Sequence, residues 1–315
     1  MLIVSSACSR IATSAGQGQG IQTAGGAAAP GPLSQRPAPQ GPPETPAPLQ
    51  TESALDPALL AVTLSPPALK TAWSPLPTGR RVRVGATSHH LLAAALIDRF
   101  FADAAANIRP SRVLILSPRH FGQGQGLVAI SRRDWETGIP GTTGRVSVDR
   151  ELFGAFIGAG AMEDDDSFIG EHGIGALVPF ISKHWPGIPI LPVVLEIDER
   201  SLEALVPLAE LLIQEMTRDP DLFLLLSVDF SHHEGLEITR ERDARSRPSL
   251  ENLSFESHWH IYSDNASGFF ILSRVLDHFG WNRGHIAGHT SGYELVGATE
   301  DITSYFFAYW PATDR

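Results

Sequence analysis

Twelve histidines occur among the 315 residues of this chain, and several fall in short clusters beside a carboxylate. His89 and His90 are adjacent, His120 stands alone, His172 follows Glu171, and His232 and His233 closely follow Asp229. Imidazole changes charge nearer neutral pH than other side chains and is the commonest nitrogen ligand for metals. A carboxylate three residues before a histidine, as in Asp229-Phe-Ser-His232, offers an acid/base pair or a group that fixes an imidazole tautomer. The same spacing also suits an Asp/Ser cap at the start of a helix. Glu171 is open to two similar readings: it lines a pocket with His172, or it only favours a helix N-terminus through the dipole. His258, His260, His278 and His285 read as surface or packing residues. The acidic run from Glu163 to Asp166 reads as a solvated loop.

Short apolar runs place these residues on a scaffold. Arg81–Ala86, Val113–Ser117, Ile188–Leu195 and Leu222–Val228 suit buried strands, and Thr303–Trp310 a last one. Leu91–Ala104, Leu202–Met216 and Asn265–Phe279 have the spacing and composition of amphipathic helices, and a further helical run ends at Pro179-Phe180. This alternation predicts an α/β sheet with helices on both faces. Three histidine clusters then occupy one equivalent place, just past the carboxyl end of a strand. His89-His90 follow the first strand, His120 the second, and His232-His233 the LFLLLSVDFS run. Ligand crevices of open α/β sheets lie at that edge. Only one member of each adjacent pair is expected to point inward.

Composition narrows the function classes. A net charge of −11 gives no electrostatic footprint for nucleic acid or anionic membranes, so a small molecule or a protein is the expected partner. No apolar run is long enough to span a bilayer. The single cysteine, Cys8, excludes an intrachain disulfide and a cysteine-based zinc cluster. Residues 1–72 read as a disordered Ala/Gly/Pro-rich leader and linker. The first 70 residues hold 11 of the 24 prolines and no aromatic residue, too little apolar surface to offset ordering. A short helix near Leu55–Val62 is the exception. Residues 73–315 form the folded domain. Met1–Cys8 reads as a flexible tail of a cytoplasmic protein. The alternative is an exported lipoprotein anchored through Cys8, which requires a start further upstream because neither a basic segment nor a full apolar segment precedes that cysteine.

Five blocks, in order, resemble the Memo family, also known as the B component of the AmmeMemoRadiSam system. Thr87-Ser-His-His90 stands where the family has a Pro-His-Ala-Gly type motif, and Leu116-Ser-Pro-Arg-His120 where it has Leu-Gly-Pro-Ser-His. Glu171-His-Gly-Ile174 with Pro179-Phe180 resembles Glu-His-Ser-Ile…Pro-Phe, and Val228-Asp-Phe-Ser-His232 resembles Ser-Asp-Phe-Ser-His. Thr290-Ser-Gly292, with Gly297 and Ser304-Tyr305, resembles the family's C-terminal stretch. The resemblance covers about Arg81 to Trp310. It implies a three-layer α/β/α domain with a central mixed sheet, as in the LigB-like class III extradiol dioxygenases, which use non-haem iron.

In the family a metal is attributed to two histidines and a cysteine. The histidines map onto His89 and His120, and further pocket residues onto Asp229, His232 and His172. The cysteine is missing here. Tyr262-Ser-Asp-Asn-Ala-Ser-Gly268 occupies its stretch, and Asp264 is the natural substitute. Gly175 and Leu177 also stand where the family has Glu and Gln. Two imidazoles and a carboxylate favour Fe(II), with Cu or Zn also compatible, whereas a thiolate would favour Cu(I). The expected function is a redox or oxygenase-type reaction on a small substrate, with His232, Asp229 and His172 as catalytic residues. The alternative is a non-catalytic ligand- or partner-binding accessory protein. Radical-SAM and AMMECR1-like proteins are the partners that the resemblance implies.

Overall fold

A computed structural model describes residues 47–50, 71–77, 79–121, 124–137, 144–196 and 199–312. The chain divides into two units, Met1–Thr45 and Pro46–Arg315, and every described residue belongs to the second. The leader up to residue 46, Cys8 within it, and the expected helix near Leu55–Val62 lie outside the described residues.

Eleven strands are present among the described residues, and eight of them form one mixed sheet. The strands are β1 Leu49–Gln50, β2 Val82–Thr87, β3 Arg112–Pro118, β4 Val128–Ile130, β5 Trp135–Glu136 and β6 Arg145–Val146. They continue with β7 Met162–Glu163, β8 Ile190–Leu195, β9 Leu222–Ser227, β10 His285–Ser291 and β11 Ser304–Pro311. The main sheet runs β10-β11-β2-β9-β3-β8-β4-β7. Its centre, β2-β9-β3-β8, is parallel, and β11 is antiparallel to both neighbours. Every residue of β2, β8, β9 and β11 is buried, which is why these strands read as largely apolar runs rather than alternating ones, with Arg83 of β2 the buried charged exception, held by the Met216 and Asp219 carbonyls. β1, β5 and β6 make a small separate sheet. Its strand β1 lies inside the stretch read as linker, pairs in parallel with β5, and buries Leu49.

Eight α-helices are described: α1 Ala94–Asn107, α2 Arg150–Gly158, α3 His172–Gly175, α4 Val178–His184, α5 Val206–Arg218, α6 Leu236–Glu251, α7 Ala266–Phe279 and α8 Gly292–Val296. In α1 the residues Leu96, Ile97, Phe100, Phe101 and Ala104 recur at helical spacing and are all buried. The helix stops at Ile108, two residues before Pro110, where the chain turns extended. Phe100 stacks on Tyr309 and Phe101 on Phe180, so α1 and α4 cover one face of the sheet. On the opposite face Gly268 of α7 lies so close to Leu226 that an added Cβ would fall 2.3 Å from its methyl. The result is a three-layer α/β/α fold.

Most predicted elements agree with the structure to within a few residues. The first predicted helix begins as a 3-10 turn, Leu91–Ala93, before α1. The helical run after His172 passes Pro179-Phe180 and ends at His184. The acidic run is not a solvated loop: Asp165–Phe168 is a 3-10 turn capped by Asp164, whose carboxylate also binds the Gln125 amide, and Asp165 accepts from Ser131. No described helix is long and apolar enough to cross a membrane.

Candidate metal centre

The sheet order explains why residues so far apart in sequence meet. β9 inserts between β2 and β3, so the carboxyl ends that carry His89, Asp229–His232 and His120 are three neighbouring strand ends. At about 4.8 Å per strand, they span only about 10 Å.

His89 is fully buried, and the groups behind it determine which nitrogen faces the centre. Ser227 Oγ donates its one proton to the Gly173 carbonyl, so it must accept from His89 Nδ1, 2.9 Å away. Nε2 therefore carries the lone pair of the neutral ring and points at two carboxylates, 3.2 Å from Asp264 Oδ2 and 3.6 Å from Asp229 Oδ2. His120 is held in the same way by a carboxylate. Glu171 Oε1 accepts from Nδ1 at 2.6 Å and Glu171 Oε2 from the His120 amide at 2.9 Å, which leaves Nε2 3.4 Å from Asp264 Oδ2. Glu171 also caps α3 by accepting from the Gly173 amide, so it serves the helix N-terminus while binding His120. A Cβ at position 173 would fall 2.2 Å from Ser117 Oγ and 3.2 Å from the His120 ring, so a side chain there would have to displace Ser117.

Asp264 is the hub. Its Oδ1 accepts from the Asp229 amide at 3.0 Å, and its Oδ2 also faces His232 Nε2 at 3.6 Å. Buried Asn265 anchors the hub from the next position. It caps α7 through the Gly268 amide and donates to the Leu116 and Ser227 carbonyls, joining the ends of β3 and β9. Asp229 is not a helix cap: its side chain turns into the site, where Ser88 donates to Oδ1 at 2.5 Å. His172 packs on His120, with ring centroids 3.9 Å apart, and lies 5.2 Å from His89.

The two histidine pairs divide as expected. His90 turns aside to meet the Tyr305 hydroxyl at 2.6 Å. His233 adopts a left-handed backbone (φ 54°) and reaches out to exposed Asp301, while His232 stays inward. His258 is a packing residue bonded to the Phe255 carbonyl. Sequence reasoning missed Ser88, Ser227 and Asn265. Only Asn265 left a usable signal, as a capping residue immediately before a periodic apolar helix; serines at strand ends are too common to stand out.

The electrostatics follow from burial set against close opposite charges. Burial opposes charge on His120, but its contacts with Asp264 and Glu171 outweigh this and raise its pKa to about 9. Burial is likewise outweighed at His89, where Asp229 and Asp264 hold the pKa above the ordinary value. His172 goes the other way. Burial and the adjacent His120 and His89 push it down to about 4. Burial would raise the Asp264 carboxyl, yet His89 and His120 hold it well below the usual carboxylate range.

A metal ion fits this arrangement. Nitrogen and oxygen ligands about 2.1 Å from one ion lie about 3.0–3.4 Å from each other. The separations of His89 Nε2 and His120 Nε2 from Asp264 Oδ2, 3.2 and 3.4 Å, fall in that range. His89 Nε2 and His232 Nε2 are buried without a hydrogen-bond partner among the described residues, although carboxylates surround them. Two donor sets have all their atoms within 4.8 Å of one another: His89, His120 and His172, and His89, Asp229 and Asp264. The first is all nitrogen and the second nitrogen and oxygen, and neither has sulfur, which suits iron, manganese or zinc.

Comparison with known proteins agrees with the geometry. The chain is 24% identical over 210 residues to a MEMO1 family protein of Saccharolobus islandicus, an alignment covering 64% of this chain and 72% of the relative. It is 23% identical over 212 residues to one from Saccharolobus solfataricus, covering 65% and 73% respectively. Another, from Caldivirga maquilingensis, is 27% identical over 214 residues, covering 62% and 73%. The family model of Memo-like proteins matches residues 94–267, a span that begins just after His89 and holds His120, Glu171, His172, Asp229, His232 and Asp264. That span is more than half of the chain, and together with the three-layer α/β/α fold it shows that this protein belongs to the Memo family.

Proposed function

We propose that this chain is a non-haem metal protein that holds Fe(II) through His89, His120 and Asp264 for a redox or oxygenase-type reaction on a small substrate. The observation that carries the reading is the convergence of His89, His120 and His232 Nε2 on Asp264 Oδ2, with two of the imidazoles locked from behind. Hydrogen bonds to the far ring nitrogen fix the tautomer and make the facing nitrogen a better ligand. When bound, the ion supplies Lewis acidity and one-electron chemistry.

The remaining chemistry belongs to the chain's own side chains. His232 is the most exposed imidazole of the inner group, and its Nε2 faces both Asp229 and Asp264, so it can pass a proton between the site and the mouth. Asp229, held by Ser88 and facing buried His89, keeps its charge despite its burial. His172 stays neutral at physiological pH and can accept a hydrogen bond from a substrate.

Anaerobic reconstitution of the purified protein with Fe(II), followed by metal analysis, tests the reading. About one equivalent of iron is expected, lost in His89→Ala and His120→Ala. Negligible iron, copper, zinc and manganese after reconstitution would sink it. Zinc held in preference to iron would retain the site and overturn the redox assignment. Oxygen uptake by the iron form, measured against candidate reductants and substrates, addresses the reaction itself.

A further inference from the structure

A second polar pocket, of about 290 Å³, lies at the edge of the sheet and is lined by residues of α6, β10 and α8. β10 and β2 are both antiparallel to β11, so β10 ends at the same edge of the sheet as the histidine cluster, two strands or about 10 Å away. The pocket draws its charge from α6, which is polar around its circumference. Four arginines of that helix divide into two kinds. Arg242 and Arg245 are paired, with Glu234 at 2.7 Å and Glu241 at 2.6 Å. Arg240 and Arg247, the two that line the pocket, are not committed in this way. Arg240 forms no ion pair among the described residues, and Arg247 has only Glu251 at 3.9 Å.

Both guanidiniums are held by their faces. Arg240 lies over the Tyr293 ring and Arg247 over the Phe306 ring, each 5.3 Å from the centroid. Stacking fixes the plane of the group and leaves its N–H edge for a planar or tetrahedral oxyanion. Seven residues apart, they lie two turns along one side of the helix. The carboxylate between them is already engaged in hydrogen bonds: Asp243 accepts from Ser304 at 2.6 Å and contacts His289 Nε2 at 2.8 Å. His289 stacks on Phe306, its centroid 4.0 Å away, so the floor of the pocket is rigid. Glu294, exposed at the rim and bonded by Ser291, opposes a bound anion, as does the more buried Asp243.

We propose that this pocket binds the oxyanion of a small ligand, a phosphate or a carboxylate, through Arg240 and Arg247. The site is separate from the metal centre and does not depend on the metal reading.

Titration calorimetry of the full chain at low salt, with inorganic phosphate in one arm and succinate in the other, tests it. One saturable site is expected, and the tighter arm identifies the oxyanion. Arg240→Gln and Arg247→Gln are each expected to weaken binding about tenfold, the effect of one charge-assisted contact. Glu294→Gln is expected to tighten it a few-fold. Circular dichroism checks that the variants fold, and exposed Arg240 carries the test if Arg247→Gln does not. The proposal is overturned if neither anion saturates, if the arginine variants bind as the wild type does, or if His89→Ala rather than Arg240→Gln abolishes binding.

Discussion

Histidine meets aspartate in two ways in this molecule. At the ends of β2, β3 and β9, His89, His120 and His232 share one carboxylate oxygen, and the near nitrogens of His89 and His232 lack hydrogen-bond partners. Outside that cluster, His184 bonds Asp98 at 2.7 Å with Lys183 beside it, and His289 bonds Asp243 at 2.8 Å. In these outer pairs one imidazole meets one carboxylate, and the need of each is met. The inner group has more donors than its own hydrogen bonds can use, all aimed at one point. Surplus convergence, rather than the pairing itself, is what sets the inner group apart as a candidate metal centre.

Removing one inner imidazole should have the largest effect. His89→Ala and His120→Ala are expected to weaken iron binding at least about 100-fold, because each deletes a ligand outright. His184→Ala and His289→Ala should bind iron like the wild type. Equal losses across all four would erase the distinction. Asn265→Ala comes next. It removes a helix cap worth about 1 kcal/mol and leaves two buried carbonyls unpaired, so chemical denaturation should show a loss of about 2–4 kcal/mol. A loss under about 0.5 kcal/mol would mean that Asn265 is not the anchor of the hub.

Glu171→Gln tests the lock behind His120. The amide still fills the space but cannot charge-pair with the ring, and iron affinity should fall about 10- to 100-fold with little change in fold. Unchanged affinity would show that the orientation of His120 is fixed by packing alone. The smallest effect belongs to an outer pair. Burial would raise the Asp98 carboxyl, but the hydrogen bonds of His184 and Lys183 outweigh it and hold the pKa below the ordinary value. A depressed folded pKa stabilises above the unfolded value, near 4, and the gain disappears as pH falls through the folded pKa. Asp98→Asn should therefore cost about 1 kcal/mol at pH 6 and almost nothing in strong acid, with iron content unchanged. A gap that persists in acid would point to lost packing instead.

The interior strands and the amphipathic helices α1, α5 and α7 were readable because their surroundings impose a pattern. A strand buried on both faces must be largely apolar, and a helix resting on a sheet must carry a stripe. α6 and β10 escaped for the opposite reason. The run LEITRERDARSRPSLE has no apolar face to detect, and HIAGHTS at the sheet edge mixes glycine, histidine and hydroxyl side chains. The two-residue strands β1, β5, β6 and β7 are too short to show any period.

For the site, the sequence by itself determined which residue types stand at the strand ends. It also determined that no thiolate can come from residues 73–315, since Cys8 is the chain's single cysteine. The tertiary structure alone decided which of those residues meet. The insertion of β9 between β2 and β3 is a long-range pairing that no local pattern encodes, and it converts three distant loops into one crevice. Only the folded chain could show that Asp264, from a loop with no secondary-structure signal, projects between the imidazoles. Its place depends on Asn265 bonding carbonyls 149 and 38 residues away, contacts that exist only once the sheet has assembled.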